Sequence, residues 1–84
     1  MERVRTYRGI NVRAAIHYLE RVGGEVAGDA RVEGDDWAAE VSAETVQVGP
    51  TLTLTEVTVR FTGEEAVLEP VIEAFSKKAI RAGG

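Results

Sequence analysis

The sequence predicts an α+β fold, a two-layer sandwich in which two helices cover one face of a mostly antiparallel sheet. Two segments show apolar residues at helical spacing, and several others alternate apolar and polar residues as strands do. Short turns between consecutive strands favour antiparallel pairing, and each amphipathic helix must bury its apolar stripe against that sheet. The predicted order is β-α-β-β-β-α, with three or four strands between the helices.

Length and composition exclude several classes of protein. With 84 residues, the chain is expected to form a single domain over residues 1–84. The absence of cysteine excludes disulfides, thiol catalysis and cysteine-bound metal centres. A net charge of −4 argues against nucleic acid as the main partner. The sequence has no long apolar run and no signal-peptide pattern, so we expect a cytoplasmic chain without a membrane partner.

The first strand is predicted over residues 2–8 and ends at Gly9. Asn11 is a suitable N-cap for the helix that follows, and Gly23-Gly24 ends this helix. The residues of its apolar face are Val12, Ala15, Ile16, Leu19 and Val22.

Two sets of polar residues were weighed as metal or catalytic sites. His17, the only histidine, lies on the polar face of the first helix without a second ligand or a nucleophile nearby. Asp35 and Asp36 lie in a predicted turn but lack the spacing of a calcium loop. We therefore interpret all three as solvated side chains, and we predict no metal site and no bound cofactor.

The central segments predict the rest of the sheet. Residues 25–33 indicate a weak strand with a turn or bulge at Gly28-Asp29. The next segments alternate, and their predicted inward-facing residues are Trp37, Ala39, Val41, Val46 and Val48. In the last strand, Leu52 and Leu54 have the opposite parity to Val57, Val59 and Phe61. Because a regular strand cannot place both sets on one face, we expect a bulge or bend near Thr55-Glu56.

The C-terminal segment predicts a second helix. Residues 62–65 resemble a capping box with Thr62 as N-cap, and Pro70 predicts a short helical turn followed by the main helix. Glu73 and Lys77 are spaced to form an ion pair on that helix. Its predicted buried stripe is Val71, Ile72, Phe75 and Ala79, with Ile80 beside it. Over the whole chain, the residues predicted to be buried together are Ile16, Leu19, Trp37, Val57, Val59, Phe61, Ile72 and Phe75.

The final Gly83-Gly84 has two interpretations. Glycine commonly ends helices, because the residue after the last turn often adopts a left-handed conformation. A C-terminal diglycine can also pass through the narrow channel of an adenylating enzyme, because glycine has no side chain. We expect residues 83–84 to form a flexible Gly-Gly tail, in which Gly83 can act as the cap and Gly84 is disordered.

Several segments along the chain are similar to a known family, and they are Tyr7-Arg8-Gly9-Ile10, Arg13-Ala14, Tyr18-Leu19, Gly23-Gly24, residues 48–59 and residues 78–84. On these segments the sequence resembles a family of small archaeal MoaD-related proteins, and the resemblance covers nearly the whole chain. Some members of the wider group are small archaeal ubiquitin-like modifiers. The resemblance offers the ubiquitin-like β-grasp as the alternative fold. A β-grasp begins with a hairpin before its long helix and ends on a strand.

The resemblance implies that the chain is not itself an enzyme. An E1-like enzyme would adenylate the Gly84 carboxylate with ATP, giving an isopeptide on a lysine of a target protein or a sulfur-donating thiocarboxylate. The only lysines, Lys77 and Lys78, are possible acceptors within the chain. The alternative is a non-catalytic accessory domain in molybdopterin or sulfur metabolism, in which the glycines only cap the helix.

Overall fold

Two helices pack on one face of a five-stranded sheet in the computed structural model, which describes residues 1–83. The elements in chain order are β1 (Glu2–Arg8), α1 (Val12–Arg21), β2 (Glu25–Gly28), β3 (Arg31–Gly34), β4 (Trp37–Gln47), β5 (Thr53–Gly63) and α2 (Glu65–Gly83). This is the predicted α+β sandwich, with four strands between the helices.

The sheet has the strand order β1-β5-β4-β3-β2, and every neighbouring pair is antiparallel. Helix α1 carries the chain from β1, at one edge, to β2 at the other edge. The four following strands return by short turns until β5 pairs with β1. The β-grasp alternative shares the packing of a sheet against a helix. Its initial hairpin and final strand are replaced here by the single strand β1 and by α2.

Helix α1 forms as the sequence predicts. The Asn11 side chain caps it, because its Oδ1 accepts a hydrogen bond from the Ala14 backbone N–H at 2.7 Å. Gly23 follows the helix with a φ of +108°, a conformation that favours glycine. Ala15 and Leu19 are fully buried, and His17 is exposed on the opposite face.

Helix α2 differs from the prediction at two points. Thr62 belongs to β5, and the first turn is closed by the Glu64 carbonyl, which accepts from the Leu68 backbone N–H at 2.8 Å. The predicted capping box at Thr62 is therefore wrong. The predicted interruption at Pro70 is wrong as well, because α2 is continuous through this residue.

The exposure of the helix around Pro70 explains why it remains intact. Proline cannot donate to the carbonyl of Ala66, but Ala66 and Pro70 both lie on the solvent side, where water can satisfy that group. Leu68 and Phe75 are buried on either side of the proline, so both halves of α2 are packed in the same core.

The core lies between the helices and the inner face of the sheet. Phe75 is at its centre, with ring centroids 5.1 Å from Tyr7, 5.8 Å from Phe61 and 6.3 Å from Tyr18. Of the eight residues predicted to be buried together, Ile16 and Ile72 are half-exposed at the margin of the core. Val12, Val22 and Val71, which the sequence also assigns to apolar faces, lie at the same margin. The inward-facing prediction is confirmed for Ala15, Ala39, Val41 and Ala79, and the core also contains residues that the prediction left out, chiefly Ile10, Val32 and Leu68.

The predicted bulge at Thr55-Glu56 is wrong. Strands β4 and β5 pair residue by residue from Trp37↔Gly63 to Gln47↔Thr53. Leu54 consequently lies directly opposite Val46 on the face away from the helices, and the prediction that Val46 and Val48 are buried is also wrong. A register shift does occur between Val26 and Gly28, in the segment where the sequence predicts a turn or bulge.

Candidate functional site

The end of α2 is the candidate functional site, and two contacts define its position. The Arg3 guanidinium lies 3.2 Å from a Glu65 carboxylate oxygen, and the Tyr7 hydroxyl shares a hydrogen bond of 2.7 Å with the Ser76 hydroxyl. Helix α2 therefore runs along β1 in the same direction. At about 1.5 Å per residue, Gly83 lies roughly 10 Å beyond Ser76. This places the end of α2 at the end of the sheet where β1 stops and β4 turns into β5.

The described burial of α2 changes sharply between Ala79 and Ile80. Ala79 is 2% exposed, whereas the next residue, Ile80, is 68% exposed. Gly83 is the last residue of α2, and Gly84 lies outside the described residues, as does the expectation that it is flexible. From residue 81 to residue 84 a fully extended chain spans at most about 14 Å.

Tyr7 attaches the last part of α2 to the sheet. Burial raises the pKa of the Tyr7 hydroxyl above its usual range, although the Ser76 hydrogen bond and the charge of Arg5 act in the opposite direction. The hydroxyl therefore stays protonated at neutral pH and maintains the contact with Ser76. Sequence reasoning missed this contact because its two residues are 69 positions apart. The alternation of residues in β1 indicated only that the Tyr7 side chain lies on one particular face of the strand.

Both candidate acceptor lysines lie on the exposed side of α2. The Lys77 ammonium is 3.2 Å from the Glu73 carboxylate, which confirms the predicted ion pair one turn apart. Lys78 is exposed beside it. The Lys77 side chain is 69% exposed, and an exposed pair of this kind contributes little to stability.

The other polar residues weighed in the sequence lie apart from this site. Asp35 and Asp36 form the turn between β3 and β4, at the opposite end of the sheet from the end of α2. Within residues 1–83, no three histidine or acidic side chains are grouped so as to hold a metal ion. No described helix is long and apolar enough to cross a membrane.

Comparison with known families supports the resemblance read from the sequence. A family model described as archaeal MoaD-like protein matches residues 3–84. The chain belongs to this family. It is thus a MoaD-like protein of the ubiquitin-like or sulfur-carrier type, and the match includes Gly83-Gly84. No curated protein matches the chain.

Proposed function

We propose that this MoaD-like chain is a ubiquitin-like modifier or sulfur carrier whose reactive group is the Gly84 carboxylate. The observation that carries the proposal is the position of the diglycine. It lies within the segment matched to the family, and it begins four residues after Ala79, the last of the side chains that the structure describes as buried. Displacing this segment therefore leaves the described core in place.

The proposed chemistry needs an E1-like enzyme and ATP. A carboxylate oxygen of Gly84 bonds to the α-phosphorus of ATP, and pyrophosphate leaves. A lysine amine of a target protein then attacks the acyl carbon, forms the isopeptide, loses a proton and displaces AMP. Attack by hydrosulfide in place of the amine, again with loss of a proton and displacement of AMP, gives the thiocarboxylate. In this proposal the chain is the substrate, and ATP is bound by the activating enzyme.

The helical end of the chain sets a structural requirement for this reaction. Helix α2 continues to Gly83, but a narrow channel admits only an extended chain. The last turn must therefore unwind from about residue 81 onward. Glycine is the poorest helix former after proline, at about 1 kcal/mol relative to alanine, so this turn is inexpensive to open. Ala79 and the Tyr7–Ser76 contact can hold the remainder of α2 in place.

The helical state of Gly83 favours a second candidate function. In this alternative the chain is an accessory domain in molybdopterin or sulfur metabolism, and the diglycine only ends α2. The glycines would then contribute modestly to stability and would undergo no reaction.

Three tagged chains expressed in cells that retain the E1-like enzyme distinguish these functions. They are the wild type, a deletion of Gly83-Gly84, and an extension by one alanine after Gly84. We expect the wild type alone to form adducts or a thiocarboxylate, because the extension blocks the channel. Both variants should unfold within about 0.5 kcal/mol of wild type, as changes at exposed ends do.

Other outcomes of this experiment would contradict the modifier proposal or favour the accessory domain. Adducts that survive the deletion would contradict the modifier proposal. A wild-type chain that forms neither product, together with a deletion that lowers stability, favours the accessory domain. The intact mass of the protein from its own cells checks that the native chain ends at Gly84.

Replacing Lys77 and Lys78 by arginine tests whether these lysines are acceptors. We expect the double variant to lose adducts between copies of this chain while keeping those on other proteins, because arginine retains the charge but is not an acylable amine. Mass spectrometry of tryptic fragments measures the linkage. Unchanged adducts between copies would exclude both lysines.

A further inference from the structure

An exposed apolar surface lies at the turn between β4 and β5, on the sheet face away from the helices. We call it the hairpin patch, and its residues are Val46, Val48, Leu52 and Leu54. Val46 lies directly opposite Leu54, and the Val48 backbone N–H donates to the Leu52 carbonyl at 2.9 Å. Leu52 is 59% exposed, and Val48 and Leu54 are each 39% exposed. Val46 is half-buried beside Leu54. The hydrogen bond between Val48 and Leu52 continues the ribbon by one pair beyond Gln47↔Thr53, so the four aliphatic side chains lie together at the turn.

The apolar and polar faces of the β4–β5 ribbon exchange along its length. Over the core, the helix side carries apolar residues such as Val57 and Val59, and the opposite side carries residues such as Thr58 and Arg60. Toward the turn, the helix side carries Thr45, Gln47, Thr53 and Thr55, and the opposite side carries the hairpin patch. Because the register is continuous, the chain's own core cannot explain this exchange. A strand with this pattern is suited to a second apolar surface.

The hairpin patch lies at the same end of the sheet as the end of α2. Tyr7 pairs with Val57, and both α2 and the β4–β5 ribbon continue past this point in the same direction. Leu54 also borders a surface depression with Gly9 and Asn11, at the start of α1. The end of α2 and the hairpin patch therefore lie at the same end of the sheet but on opposite faces of it, and a partner that takes up the end of α2 reaches the hairpin patch by extending around the β4–β5 ribbon.

We infer that the hairpin patch is the docking surface for the E1-like adenylating enzyme, an inference that rests on the proposed function. Its four side chains offer on the order of 300 Å² of apolar surface, the size of the larger patches on ordinary monomers. A stable interface buries roughly 800 Å² per partner, so the hairpin patch alone is too small to hold a second copy. The enzyme does not depend on the patch alone, because in the proposed function it also takes up the end of α2. A small apolar contact suits a carrier that must be released after it has been activated.

The charged residues next to the hairpin patch indicate which side chains the partner should present. Glu44 and Glu56 lie directly opposite each other in the adjacent row, an arrangement that destabilises a sheet. Arg8 neutralises one of them, with its Nε 3.0 Å from a Glu56 carboxylate oxygen. Among the side chains that the structure describes, no cation lies within ion-pair distance of Glu44. The enzyme surface should therefore be apolar, with an arginine or lysine that reaches Glu44.

Binding of the isotope-labelled chain to the E1-like enzyme, measured without ATP, tests this inference. We expect Leu52→Lys to weaken binding by roughly tenfold or more, as removal of a central apolar contact does. Glu44→Lys should also weaken binding. Val26→Lys is the matched control, because Val26 is 52% exposed on β2 and receives the same charge. Its affinity should remain within about twofold of wild type. In the wild type, the amide signals of residues 46–54 should change most.

Each outcome of this experiment is decisive. The docking surface is excluded if the wild type does not bind, if Leu52→Lys binds as Val26→Lys does, or if the amide signals of residues 46–54 are unchanged. A wild-type dimer that Leu52→Lys dissociates would assign the patch to a second copy instead. Melting curves check that each variant folds. Binding through the patch without adenylation on adding ATP would contradict the proposed function while supporting the docking surface.

Discussion

Tyr7 joins the sheet to the last half of α2 through a single side chain. Its ring packs edge-on against Phe75, and its hydroxyl bonds Ser76. Because burial raises the pKa of this hydroxyl, the folded chain holds the proton to a higher pH than the unfolded chain. The residue therefore links alkaline pH to the stability of the fold.

The free energy of unfolding should decrease as the pH rises above about 10, where tyrosine ionises in an unfolded chain. Below that pH both states are protonated, and above it only the unfolded state gains by releasing the proton. Tyr7→Phe should make this decrease shallower in urea unfolding between about pH 9 and pH 11. Ser76→Ala is the control, since it removes the hydrogen bond but keeps the phenol. Parallel profiles for Tyr7→Phe and wild type would contradict the assignment.

Two leucines in opposite environments test the core. Leu19 is fully buried, so Leu19→Ala should lower the free energy of unfolding by about 2–5 kcal/mol. Leu52 is 59% exposed, so Leu52→Ala should change it by less than about 0.5 kcal/mol. Chemical denaturation of both variants gives the comparison, and equal losses would show that burial does not separate the two sites.

At the scale of elements, α2 shows tertiary packing overriding a local helix breaker. Pro70 removes one backbone hydrogen bond from the helix interior. Leu68 on one side of it and Phe75 on the other are both buried, so interrupting the helix would remove one of them from the core. The folded state therefore bears the full free-energy cost of a proline in the interior of a helix.

Pro70→Ala should raise the free energy of unfolding by about 2 kcal/mol. Alanine removes a penalty of about 3 kcal/mol in the helix, and the more flexible unfolded chain offsets up to about 1 kcal/mol of the gain. Urea denaturation measures the change. Glu69→Ala, at the exposed neighbouring position, is the control and should stay within about 0.5 kcal/mol of wild type. A destabilised Pro70→Ala would mean that proline sets the local geometry of α2.

At the scale of the whole molecule, the described chain is elongated, with extents of 43 × 23 × 21 Å. Strands β4 and β5 are its longest strands, with 11 residues each. Their central part lies in the core, and their turn end bears the hairpin patch beyond it. One half of the β4–β5 ribbon is thus packed in the core, and the other half projects beyond the core.

Hydrogen exchange should distinguish these two halves. Backbone amides of Val41 and Val59, at buried positions, should exchange only through global unfolding. Amides paired across Val46 and Leu54 should exchange through local opening, at a lower free energy. Exchange followed by NMR over hours provides the measurement. Uniform protection along the ribbon would show that the turn end is as stable as the core.

Local sequence signals predicted the parts of the fold in which neighbours along the chain decide the structure. Asn11 and Gly23 delimit α1, and the Glu73–Lys77 pair forms as its spacing requires. The predictions failed where distant residues decide. Thr62 continues β5 because it pairs in the sheet with Glu2 and Ala38, and this pairing prevails over its preference for a helix cap. Of the site, the diglycine is visible in the sequence, whereas the position of the end of α2 at the hairpin-patch end of the sheet is not.

The sequence by itself determined the element types, the two-layer class and the resemblance to MoaD-related proteins, because these depend on periodicity, turn residues and short motifs. Only the tertiary structure decided which apolar residues are buried. Leu54 and Val57 are both apolar, but Val57 lies under the helices and Leu54 lies on the face away from them. A strand places alternate residues on opposite faces, and whether a face is covered depends on elements distant in the chain. For this reason the hairpin patch is visible in the sequence only as a change of parity in the alternation of apolar and polar residues along β5.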